Sequence, residues 1–217
     1  GAHKTSDGWS SGVAILTLCA NLWDDINPED HNLFLVHGLT QISNRTSGSS
    51  RRQRFPFPRT GSDPDLTTLK RWFCRYIDLR SRGAAERILL TLHDRGQPRD
   101  VIADFVFTAA TDFYFTGDGH ALDFANKMFE ALDYVQWQGA HEILRPIIVD
   151  LLGRTRHEET SRWQDAVPVL EPILARADET WQANQQALPQ ALDVTEFAHV
   201  MLGDDFEPIL SQMEKHL

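Results

Sequence analysis

The chain has 217 residues, a formal net charge of −10, 41% hydrophobic and 24% charged residues. This is an ordinary globular composition, long enough for one large domain or two small ones. The acidic balance argues against nucleic acid and against an anionic membrane surface, which both need a basic face. No apolar run approaches the ~20 residues of a bilayer-spanning helix.

In chain order, residues 1–7 are expected to be a tag remnant (Gly1-Ala2-His3) or a disordered terminus. A first helix is expected from about Ser10 to Trp23. Asn27-Pro28-Glu29-Asp30 has the form of a helix start: a capping residue, proline at the first position, then acids favoured by the helix dipole. The helix after it carries Leu33, Phe34, Leu35, Val36, Leu39 and Ile42 around its whole circumference, which predicts a buried helix. Residues 45–63, rich in Arg, Ser, Gly and Pro, read as a long loop. Arg51, Arg52, Arg54 and Arg59 make it the one basic cluster, either solvated or a docking segment for an acidic partner.

Asp63-Pro64-Asp65 begins a helix through Trp72, Phe73, Tyr76 and Leu79, with Gly83 as its stop, and a short helix over Ala84–Leu92 follows. Gln97-Pro98 opens a helix expected to reach about Thr116 and to form the buried centre of the fold. Gly117-Asp118-Gly119 is a turn, and helices are expected over His120–Val135 and Gly139–Leu152. A proline-punctuated region with Pro168, Pro172 and Pro189 leads to closing helices over Asp193–Met201 and Glu207–His216. No segment alternates with period two, so the fold class is all-α: a single multi-helical, bundle-like domain spanning 1–217, with the helix at about 100–116 in its centre.

That central helix carries a thin acidic seam. Asp104, Thr108 and Asp112 are four residues apart and stack along one line. The seam fits either a solvent-facing edge or a polar site inside the fold. Its functional reading gives Asp104 and Asp112 to a metal or to proton transfer, with a histidine from another helix. In the next helix His120, Asp123 and Lys127 share one face opposite Ala121, Leu122, Ala125, Met128, Phe129 and Leu132. That face fits an ordinary surface ion pair. It also fits a site, because His120 opens the helix after Gly-Asp-Gly, where backbone N–H groups are free for an anion. His120, Asp123, Lys127 and Asp112 are accordingly the candidate catalytic residues, and His31, His37, Asp104, Asp112 and His120 the candidate metal ligands.

Weaker motifs stand beside these. His93-Asp94, after the apolar Ile88-Leu89-Leu90-Thr91-Leu92, resembles the core of metal-dependent HD phosphohydrolases, but Arg95 and Gln97 depart from that pattern. Glu196 and His199 form one Glu-x-x-His, where dimetal bundles use two. His141, His157 and His216 show no usable pattern. Asn44-Arg45-Thr46 matches a glycosylation sequon, with nothing else pointing to secretion. Cys19 and Cys74 fall in apolar helical segments and read as thiols of a reducing cytoplasm.

Three stretches carry a family resemblance: Asp30-His31-Asn32-Leu33-Phe34-Leu35-Val36-His37-Gly38-Leu39; Gly119-His120-Ala121-Leu122-Asp123-Phe124-Ala125-Asn126-Lys127 with Glu130-Ala131-Leu132-Asp133; and Glu158-Glu159-Thr160-Ser161-Arg162-Trp163. Together they resemble the N-terminal helical region of uncharacterised bacterial proteins that carry a Rieske iron–sulfur domain. The resemblance runs from about Gly12 to Leu210 and implies a redox setting, with the chain as the helical half of a longer protein or a stand-alone relative. The paired Cys and His motifs of a Rieske cluster are absent. The resemblance therefore implies an iron–sulfur cluster only in a partner or in a missing C-terminal half. An enzymatic role would then be that of an oxidoreductase component, with a polar pocket for a small organic substrate or metal ion. The alternatives are an HD-like phosphohydrolase and a non-catalytic oligomerisation module. Expected partners are the missing half or an iron–sulfur protein and further copies of the chain, with no nucleic acid and no membrane.

Overall fold

The computed structural model describes residues 8–48, 64–113, 119–153, 167–185, 193–203, 205, 207–209 and 211–212. Every regular element among them is helical, so the protein is all-α. Contacts divide the chain into two compact units, residues 1–160 and 161–217. The first holds α1 (Ser11–Asn21), α2 (His31–Thr46), α3 (Leu66–Asp78), α4 (Arg82–Asp94), α5 (Arg99–Thr111), α6 (His120–Tyr134), α7 (Ala140–Leu144) and α8 (Ile147–Gly153). The second holds α9 (Val167–Ala175), α10 (Ala177–Gln185) and α11 (Val194–Met201), the last capped by the Asp193 carboxylate accepting from the Thr195 and Glu196 backbone N–H groups.

The core of the first unit follows helical spacing. In α3, Leu69, Phe73 and Ile77 recur every four residues and are buried, and Asp65 caps the helix by accepting from Thr68 N–H at 2.7 Å. In α6, Ala121, Ala125, Met128 and Leu132 form the buried stripe. They meet Ile102, Phe105, Val106, Ala109 and Ala110 of α5, Ala85, Ile88, Leu89 and Leu92 of α4, and Ile147, Ile148 and Leu151 of α8 in one cluster. Fully burying each larger side chain contributes about 1.5–3 kcal/mol. The cluster also takes in Trp9, ahead of α1, whose indole donates to the Ile143 carbonyl at 2.9 Å and whose backbone N–H donates to Asp150 at 2.7 Å. A buried ion pair, Arg145 Nε to Glu86 Oε1 at 2.6 Å, ties α4 to the α7–α8 junction.

Four expectations change. α5 ends at Thr111, and residues 114–116 of the helix predicted to reach about 116 lie outside the described residues. Gly83 does not separate two helices but lies in the first turn of α4, where backbone N–H groups have no intrahelical partner in any case. The helix expected over 139–152 is broken into α7 and α8 at Arg145-Pro146, because Pro146 has no N–H to continue the ladder. The largest correction concerns α2. Only Gly38 of α2 is buried, while Leu33, Val36, Leu39 and Leu35 are 67%, 60%, 49% and 43% exposed. α2 pairs mainly with α1 as an antiparallel hairpin, and among the described residues no other α-helix packs against it as closely.

Two glycines let that hairpin close. A Cβ on Gly12 would stand 2.6 Å from the Gln41 carbonyl oxygen, and one on Gly38 would stand 2.8 Å from Leu16 Cδ1. The first clash is with backbone, which cannot swing aside. Residues 1–7, the loop expected beyond Gly48 and the Gly117-Asp118 part of the predicted turn lie outside the described residues. No helix among the described residues is long and apolar enough to cross a membrane.

Candidate functional site

Two places in the first unit bring reactive side chains together. The first is an open cleft of about 500 Å³ between α1, the end of α2 and the start of α6. Ala14, Ile15 and Leu18 of α1 and Phe124 of α6 make its apolar wall. His120, Asp123 and Lys127 of α6, Arg45 of α2, and Ser10 and Ser11 supply polar groups. The spacing of three and four along α6 is what aims His120, Asp123 and Lys127 at one space. His120 is the first residue of α6, after Gly119 in the left-handed conformation at φ 78°, and its ring stacks on Phe124 at 5.4 Å.

Lys127 is positioned from behind. Glu130 accepts from Lys127 Nζ at 2.9 Å, from Asn21 of α1 at 2.6 Å and from Asn126 at 2.8 Å. Burial pushes the Glu130 carboxyl up, but the Lys127 and Asn21 hydrogen bonds, the Lys127 charge and the Asn126 hydrogen bond outweigh it and hold the group below the usual carboxylate range. Glu130 therefore stays ionised and clamps α1 to α6 beside the cleft.

The second place is where α4 ends and α7 begins. His93 and Asp94 are the last two residues of α4, and His141 lies in the first turn of α7. His141 Nε2 is hydrogen-bonded to Asp94 Oδ1. The His93 and His141 rings meet edge-on, centroids 5.0 Å apart at 87°. One ligand atom from each of the three residues lies within 4.8 Å of the others. Trp137 stacks on His93 with centroids 6.1 Å apart, and its indole N–H donates to Asp133 at 3.3 Å. Asp133 in turn accepts from Arg99 of α5 at 2.9 Å.

The other residues singled out in the sequence lie elsewhere. Asp104 is half-exposed and takes both its short contacts, 2.8 Å each, from Lys70 of α3. Asp112 is the exposed residue that ends α5. Neither lines the cleft, so the acidic seam runs along an exposed edge where Thr108 adds a weak contact to Asp104 at 3.4 Å. His31 is bonded to the Trp23 carbonyl at 2.9 Å and stacked on the Trp23 ring. His37 is exposed on α2. The structure thus joins His120, Asp123 and Lys127 in one cleft, and among the described residues gathers neither Asp104 and Asp112 nor His31 and His37 into a metal-ligand cluster.

Sequence reasoning missed Arg45 in the cleft and His141 in the cluster. Arg45 was read as the start of a loop, and His141 is 47 residues beyond Asp94 with no period to connect them. One local signal existed: Gly139 marks a tight turn with Trp137 before it and His141 after it, and both rings meet His93 in the fold. No protein-family model, curated protein or solved structure matches this chain.

Proposed function

We propose that the first unit binds a small organic anion with an apolar body in the cleft between α1 and α6. The observation that carries this reading is the convergence of His120, Lys127 and Arg45 beside the wall of Ala14, Ile15, Leu18 and Phe124. Ligand sites typically enclose ~300–1,000 Å³, are mostly apolar, and hold a few placed polar groups, and a cleft of about 500 Å³ falls in that range. The cations and the free N–H groups at the start of α6 favour the charged end of the ligand. Asp123 accepts a hydroxyl or amine on the same molecule. His120, able to donate from one ring nitrogen and accept at the other, is the residue placed to exchange a proton with it.

The family resemblance puts an iron–sulfur cluster in a partner or in a missing C-terminal half, and on that reading this cleft is the polar pocket for the small organic substrate. The HD pattern joins its His-Asp pair to an earlier histidine and a later aspartate, whereas the histidine beside His93-Asp94 here is the later His141.

Calorimetric titration with benzoate, phenylacetate and phenyl phosphate tests the proposal. One-site binding of at least one probe is expected, weakened about tenfold or more by Lys127→Ala and by His120→Ala, since a charge-assisted hydrogen bond contributes ~1.5–3 kcal/mol. Binding that neither substitution changes, or none by any probe, contradicts it.

A further inference from the structure

We propose that His93, Asp94 and His141 form a mononuclear site for a divalent cation of the later first transition row, the class from Fe²⁺ to Zn²⁺. Two imidazoles and one carboxylate are the donor set such ions prefer, whereas Mg²⁺ and Ca²⁺ take oxygen. The geometry is nearly assembled. Bonds of about 2.0–2.2 Å at tetrahedral angles place donor atoms roughly 3.3 Å apart. The three donors already lie within 4.8 Å of one another, so an approach of about 1.5 Å at most completes the set.

Three further features favour a cation here. His93 and Asp94 end α4, where the partial negative charge of the helix C-terminus favours positive charge. Trp137, held by its hydrogen bond to Asp133, packs on the His93 ring and limits its rotation, as outer-shell partners of metal ligands do. The His141 and Asp94 side chains are 24% and 38% exposed, which leaves an entry path and room for water or a substrate in the remaining coordination positions. A simple hydrogen bond between α4 and α7 accounts for His141 and Asp94, but not for His93 brought within metal reach of both.

Titration of chelator-treated protein with Zn²⁺, and with Co²⁺ followed by its visible d–d absorption, tests the site. One ion per chain is expected. His93→Ala or His141→Ala should each weaken binding by more than about 100-fold, beyond the 10–100-fold typical of outer-shell partners. His37→Ala and His199→Ala should leave it unchanged. In the wild-type protein, Zn²⁺ should shift the ring signals of His93 and His141 in a histidine-selective NMR spectrum, a readout that does not depend on any variant folding. Absence of stoichiometric binding, binding that survives the double substitution of His93 and His141, or ring shifts confined to other histidines overturns the proposal.

Discussion

Glu130 is the side chain through which charge, structure and the cleft are coupled. Its carboxylate receives Lys127, Asn126 and Asn21, and so joins two helices and fixes a cation at the cleft. Because its folded pKa lies below the unfolded value, its contribution to stability is present above about pH 4.3 and is lost as pH falls through the folded value. The pair is partly exposed, so that contribution is within about 1 kcal/mol. Glu130→Gln should therefore lower stability near neutral pH by up to about 1 kcal/mol, with little change at pH below the folded value, and so flatten the acid limb of a stability–pH curve measured by denaturant titration. An unchanged acid limb would show that the clamp carries no linkage. Lys127 and Glu130 stand three apart, so their pairing was open to sequence reasoning. The Asn21 arm was not, because α1 and α6 are separated by nearly one hundred residues and meet only in the folded chain.

At the level of helices, periodicity was a good guide wherever a helix has one buried stripe. The stripe Ala121-Ala125-Met128-Leu132 lies within the apolar face read from the sequence and is buried in the structure; in α3 the buried stripe is Leu69-Phe73-Ile77, whereas Trp72 and Leu79, also singled out in the sequence, are exposed. α2 shows where the same reasoning fails. Apolar residues all round a helix predict burial, yet among the described residues α2 packs closely against α1 and no other α-helix, with Gly38 on that side. The deciding residues are glycines, which carry no hydropathy signal. Gly12→Ala should force the hairpin apart against the Gln41 backbone, and Gly38→Ala should press on Leu16, whose side chain can yield. Overpacking of this kind costs about 1–3 kcal/mol. Thermal unfolding should rank the wild type above Gly38→Ala and Gly38→Ala above Gly12→Ala. The reverse order would contradict the close-contact geometry.

Across the whole molecule, the fold class was legible while the sites were legible only in part. An all-α chain follows from the absence of period-two alternation and from capping signals such as Asp65 and Asp193, both of which accept from backbone N–H groups at helix starts. The face of His120, Asp123 and Lys127 was likewise readable from spacing within one helix, and these residues do line a common cleft. The opposite wall from α1, the cation from Arg45, and the meeting of His93-Asp94 with His141 depend on tertiary contacts between segments far apart in sequence.

The central claim is that the α1–α6 cleft is a ligand site. The most direct test is a two-dimensional amide NMR titration of the wild-type protein with the best-binding of the three aromatic anions. Progressive, saturable shifts centred on Ser11, Ala14, Leu18, Phe124 and Lys127 are the predicted result, with the amides of α3 and α4 unmoved. Saturable shifts clustered away from these residues, or no saturable shifts at any ligand concentration, would contradict it.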